Sequence, residues 1–111
     1  MNFLYILNRL ENLKSLELMF EYFRRLKDRG LAGIGDFAAK MPNLGSFGLG
    51  LQGAKQITDK GFAKFQENIL TSKTLKVLQL GFLYTNTSEA SVKGLENMFA
   101  PEKLLVAMPL K

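Results

Sequence analysis

Shifting the chain by 31 residues against itself brings Leu13, Leu16 and Leu18 over Leu44, Phe47 and Leu49, and these over Leu75, Leu78 and Leu80. Phe20, Leu51 and Phe82 extend the three rows, and Gly30-Leu31, Gly61-Phe62 and Gly94-Leu95 follow later in each unit. A period of about 20 to 50 residues restricts a chain to an array of supersecondary units, each able to bury its apolar face only against its neighbours.

Each unit opens with apolar and polar residues in alternation, as in Leu16-Glu17-Leu18-Met19-Phe20, Phe47-Gly48-Leu49-Gly50-Leu51 and Leu78-Gln79-Leu80-Gly81-Phe82. Period two is strand spacing. Each unit closes with helical spacing: Leu31, Ile34, Phe37, Ala38 and Met41, then Phe62, Phe65 and Ile69, then Val92, Leu95, Met98 and Phe99. A strand followed by a helix, three times over, predicts an α/β chain with a parallel sheet. Asp28 and Asp59 share one repeat position and are expected to cap their own helices, with Ser91 taking that place in the third unit. Aligning Gly94 with Gly61 gives the third unit two extra residues, which the polar run Thr85-Asn86-Thr87-Ser88 accommodates as loop.

These rows resemble the leucine-rich repeat. The middle unit carries the resemblance best, with Leu44-Gly45-Ser46-Phe47-Gly48-Leu49 as the strand signature and Ile57-Thr58-Asp59-Lys60-Gly61-Phe62 matching the Ile-Thr-Asp-x-Gly-Leu run of the cysteine-containing repeats found in many F-box proteins. It is also similar to the ribonuclease-inhibitor-like subclass. Ala54 stands where the cysteine-containing subclass places its cysteine, Glu21, Gln52 and Leu83 stand where the family places asparagine, and the unit is longer than usual. The resemblance implies a right-handed β-α solenoid, with a parallel concave sheet and helices on the convex side. It further implies a protein-binding role, whether as a general scaffold, as the repeat portion of an F-box-type ubiquitin-ligase substrate receptor, or, with least residue support, as a regulator of a small GTPase.

On this reading the chain is one repeat segment, 1–111, divided into a partial unit 1–12, units 13–43, 44–74 and 75–103, and the start of a further unit 104–111. Phe3, Ile6, Leu7 and Leu10 read as the helix of a preceding unit, and Leu105, Met108 and Leu110 as a fourth strand. Neither end carries a polar capping unit, so self-association through the terminal faces is expected. A hydrophobic content of 47% over 111 residues can supply one core. No stretch reaches transmembrane length, and Arg9 and Glu11 interrupt the apolar start, so a cytoplasmic or nuclear protein is expected, with no membrane partner.

The chain has neither cysteine nor histidine, which removes disulfides, thiol nucleophiles, imidazole bases and the ordinary zinc ligands. Its ten acidic residues are scattered, so a non-enzymatic function without metal or cofactor is expected. Gly48-Leu49-Gly50-Leu51-Gln52-Gly53 spells the dinucleotide fingerprint, but inside a strand and well before a helix start. The outward strand rows are the expected working surface: Ser15, Glu17, Met19 and Glu21, then Ser46, Gly48, Gly50 and Gln52, then Val77, Gln79, Gly81 and Leu83. The glycines of the middle row would leave room for a partner, with Tyr22 and Tyr84 flanking a shallow pocket at Gly53. The partner-binding set is therefore Glu17, Met19, Glu21, Tyr22, Gln52, Gln79, Leu83 and Tyr84. With a net charge of +5, Arg24, Arg25, Lys27 and Arg29, joined by Lys55 and Lys60, make one rim basic, which suits an acidic protein segment. Nucleic acid fits less well, because no basic motif is interleaved with aromatics.

Overall fold

The computed structural model describes residues 11–20, 22–82, 84–98 and 104–107. The alternating segments form strands β1 (Ser15–Met19), β2 (Ser46–Gly50), β3 (Val77–Gly81) and β4 (Leu104–Ala107). Between them lie helices α1 (Asp28–Ala39), α2 (Asp59–Ile69) and α3 (Glu89–Met98). The strands make one parallel sheet in the order β1-β2-β3-β4. This is an α/β fold. Leu16 pairs with Phe47 and Phe47 with Leu78, so residues 31 apart in sequence lie side by side across the first three strands. Against β4 the step is shorter, Leu78 pairing with Leu105.

That register lines up the large side chains on one face of the sheet. Phe47, Leu49, Leu78 and Leu80 are buried there in a single core with Leu31 and Ala38 of α1, Phe62, Phe65 and Ile69 of α2, and Leu95 of α3. Phe62 meets Phe82 edge-on at a centroid distance of 4.8 Å, a geometry the ring quadrupoles favour. Leu16 and Leu18 of β1 are half-buried. Among the described residues, no helix is long and apolar enough to cross a membrane. Phe3, Ile6, Leu7 and Leu10 of the expected N-terminal helix, together with Phe99, Met108 and Leu110, lie outside the described residues.

Neighbouring units are tied together by hydrogen bonds that recur at one repeat position. Asp28 and Asp59 do not cap their own helices, because each is the first helical residue and neither helix has a side-chain cap. Each carboxylate instead reaches the following unit. Asp28 Oδ1 accepts the backbone N–H of Thr58 at 2.7 Å, while the Thr58 hydroxyl donates to Oδ2. Asp59 Oδ1 accepts the N–H of Ser88 at 2.6 Å. A Cβ on Gly61 would occupy the space of the Asp28 carboxylate, so only glycine fits beneath this bond. A second ladder runs three residues before the helix starts, where Gln56 Nε2 donates to the Arg24 carbonyl at 3.0 Å and Asn86 Nδ2 to that of Lys55 at 2.6 Å.

The third unit departs from its expected length. Strand starts at 15, 46 and 77 and helix starts at 28, 59 and 89 make the β3–α3 connection one residue shorter than its predecessors, not longer. Gly94 therefore sits further along its helix than Gly61. The cap is Ser88, whose Oγ accepts the N–H of Ser91 at 3.3 Å.

Replacing Leu49 by Asp buries a carboxylate with no partner, at a cost of several kcal/mol against a total stability of about 5–15 kcal/mol. Circular dichroism should show all three units losing structure together, and an unchanged melt would contradict the inward placement of this row. Asp59 has its pKa lowered from 3.8, first by the Ser88 N–H and then by the Ser91 hydroxyl. A lowered folded pKa gives stability that is complete above 3.8 and lost as pH falls through the lower folded value. The melting-temperature gap between wild type and Asp59→Asn should thus be open near neutral pH and narrow progressively as the pH falls below 3.8. A gap independent of pH would show that the charge contributes nothing.

Candidate functional site

The face of the sheet turned away from the core carries Ser15, Glu17 and Met19 on β1, Ser46, Gly48 and Gly50 on β2, and Val77, Gln79 and Gly81 on β3. Glu17, Met19 and Gln79 are exposed there, as their alternation predicted. The glycine trough is filled, however. Gly48 and Gly50 are buried, because the Glu17 chain lies 3.3 Å and Gln79 Oε1 3.7 Å from the Cβ position of Gly48, and the Met19 methyl 2.6 Å from that of Gly50. The middle row holds no vacant space for a partner. It offers a floor covered by its neighbours' side chains.

Beyond the strand ends each chain segment turns through a corner that repeats with the same period. Tyr22, Gly53 and Tyr84 all have positive φ, at 57°, 76° and 62°. Glycine takes this left-handed conformation freely, whereas a side chain costs about 1–2 kcal/mol there. Backbone bonds hold the first corner in place, with Tyr22 N–H donating to the Gln52 carbonyl at 2.6 Å and Phe20 N–H to that of Gly50 at 2.7 Å. The Tyr22 ring lies over Gly53, filling the shallow pocket expected between the two tyrosines, and its hydroxyl accepts from Gln52 Nε2 at 3.3 Å. Both tyrosines nonetheless remain 62% and 53% exposed. Two large aromatic residues thus occupy a position that favours glycine and gain little burial there.

Phe23 follows Tyr22 and is also exposed, its ring stacked on Phe20 at 6.0 Å. Phe23 was not singled out by the strand alternation, since it lies past the last strand residue. Arg24, Arg25, Lys27, Arg29, Lys55 and Lys60 are all exposed on the first two strand-to-helix loops and helix starts. Of the expected partner-binding residues, the structure gathers Glu17, Met19, Tyr22, Gln52, Gln79 and Tyr84 on the open face and its strand-end rim, while Glu21 and Leu83 lie outside the described residues. The glycine fingerprint has no phosphate-binding geometry, because Gly48 and Gly50 belong to β2 and α2 begins only at Asp59.

No protein-family model matches the chain, and neither a curated protein nor a solved structure does.

If the tyrosines carry left-handed strain, Tyr84→Gly should melt no lower than wild type and be about 1 kcal/mol more stable than Tyr84→Ala, which keeps the strain and loses the ring. Gly53→Ala should destabilise more than either, since it adds strain and displaces the Tyr22 ring. Denaturant titration of the three variants checks the order, and a Tyr84→Gly variant weaker than Tyr84→Ala would assign the ring a structural role.

Proposed function

We propose that this chain is a segment of a leucine-rich-repeat-like solenoid and acts as a non-enzymatic scaffold that binds a protein through its open sheet face and the adjoining strand-end corners. The observation that carries this reading is the pair of exposed tyrosines at left-handed corners. Residues held in costly backbone conformations cluster where function requires them. Aromatic side chains on a rigid frame are the anchors that dominate protein interfaces. The regular spacing of the frame supports the repeat reading as well, because Asp28 and Asp59 each accept a backbone N–H of the next unit, and Ala54, which is buried, stands where the resembling subclass places its cysteine.

A photo-crosslinking amino acid at Gln79 or Tyr84 should give a discrete adduct with a partner protein in the cells that make this chain, and the same group at Ala63, exposed on α2, should not. Reconstitution with the purified partner should then show binding lost in Tyr84→Gly while the fold is kept. Adducts from Ala63 alone, or a partner indifferent to Tyr84→Gly, would move the interface to the helical side.

A further inference from the structure

The scaffold reading leaves the chemistry of the partner open, and the distribution of charge on the rim narrows it. Four cations, Arg24, Arg25, Lys27 and Arg29, stand on the first loop and helix start, and Lys55 and Lys60 on the second, while the third loop, Thr85–Ser88, has no charge. The carboxylates nearest in sequence among the described residues, Asp28 and Asp59, are turned to the backbone N–H groups of the following unit. Both ion pairs among the described residues, Lys40–Asp36 at the C-terminal end of α1 and Lys64–Glu67 within α2, use none of these six cations. The positive field is therefore unpaired among the described residues and confined to one end of the rim. That end also holds the exposed side chains of Tyr22 and Phe23.

Resting on the scaffold reading, we propose that the partner presents an acidic polypeptide segment carrying large apolar side chains, docked across the first two strand-end loops. Its carboxylates meet Arg24, Arg25, Lys27 and Lys55, and its apolar side chains seat on Tyr22 and Phe23. Apolar anchors bounded by complementary charge are how a protein interface combines affinity with orientation. A polypeptide fits better than a nucleic acid for two reasons. Single-strand binding needs cations that follow a backbone along a groove, whereas these fall away before the third loop. The neighbouring open face also carries exposed Glu17, which repels a phosphodiester chain that extends across it.

The experiment is fluorescence anisotropy on the whole chain with three labelled probes: a short peptide of Glu and Asp interrupted by two Phe, the same peptide with Ser for Phe, and a short oligouridylate. The Phe-containing peptide should bind saturably and best, weakening as salt rises. Arg24→Glu with Arg25→Glu should lower its affinity about tenfold or more, whereas Lys73→Glu, exposed on the α2–β3 loop, should leave it within about twofold. Circular dichroism confirms that each variant is folded. Tighter binding of the oligouridylate, equal binding of the two peptides, absence of saturable peptide binding, or indifference to the Arg24/Arg25 reversal each overturns the proposal. Failure here with crosslinking at Gln79 or Tyr84 intact removes the acidic-segment proposal alone, whereas crosslinking confined to Ala63 removes the scaffold reading beneath it.

Discussion

Everything in this molecule depends on the parallel register that sets Leu16 beside Phe47 and Phe47 beside Leu78. Side chains alternate between the faces of a strand, so a slip of one residue would carry Phe47 and Leu49 out of the core and bring Gly48 and Gly50 into it. The penalty for losing that much apolar burial keeps the register unique. Once it is set, any feature that recurs at one repeat position becomes a row across the molecule. Asp28 and Asp59 form such a row, as do Gln56 and Asn86 in the loops, and Tyr22, Gly53 and Tyr84 at the corners. These side-chain bonds to backbone also supply the donors and acceptors that the loops leave unmatched, which allows irregular segments to stack closely.

The strands, the helices and the faces they bury were legible in the sequence because apolar periodicity reports burial directly. The links between units were not. An aspartate at the start of a helix has the same local signature whether it caps its own N–H groups or reaches a neighbour, and only the spacing of the folded units decides. The start of the third helix is hidden for a similar reason. Gly61 is required by the carboxylate of Asp28, but nothing makes the same demand at Gly94, so aligning the two glycines displaced the helix start. Nor does the sequence say that Glu17 and Met19 fold down over a neighbouring strand, which is what fills the space beside Gly48 and Gly50. The corner did leave a signal: a glycine in line with two tyrosines marks a position where positive φ is preferred.

The candidate site draws on both levels. Alternation places Glu17, Met19 and Gln79 on the open face, while the left-handed turn aims Tyr22 and Tyr84 at the rim, where periodicity has nothing to say. What the chain presents is a rigid row of corners, two of them aromatic, beside loops whose cations have no ion-pair partner among the described residues. Under the proposed scaffold role, this presentation would limit the ordering cost of binding, since backbone bonds already hold the Tyr22 corner in place.

Residues one repeat apart adopt the same left-handed corner, with tyrosine in two of the three. A positive φ brings a residue's own amide and α hydrogens unusually close, so nuclear Overhauser spectra read it directly. Strong intraresidue amide-to-α cross-peaks are expected at Tyr22 and Tyr84, together with interstrand cross-peaks linking the stretches around Leu16, Phe47 and Leu78. Weak, strand-like intraresidue peaks at the two tyrosines would contradict the left-handed corner, even if the sheet itself were seen.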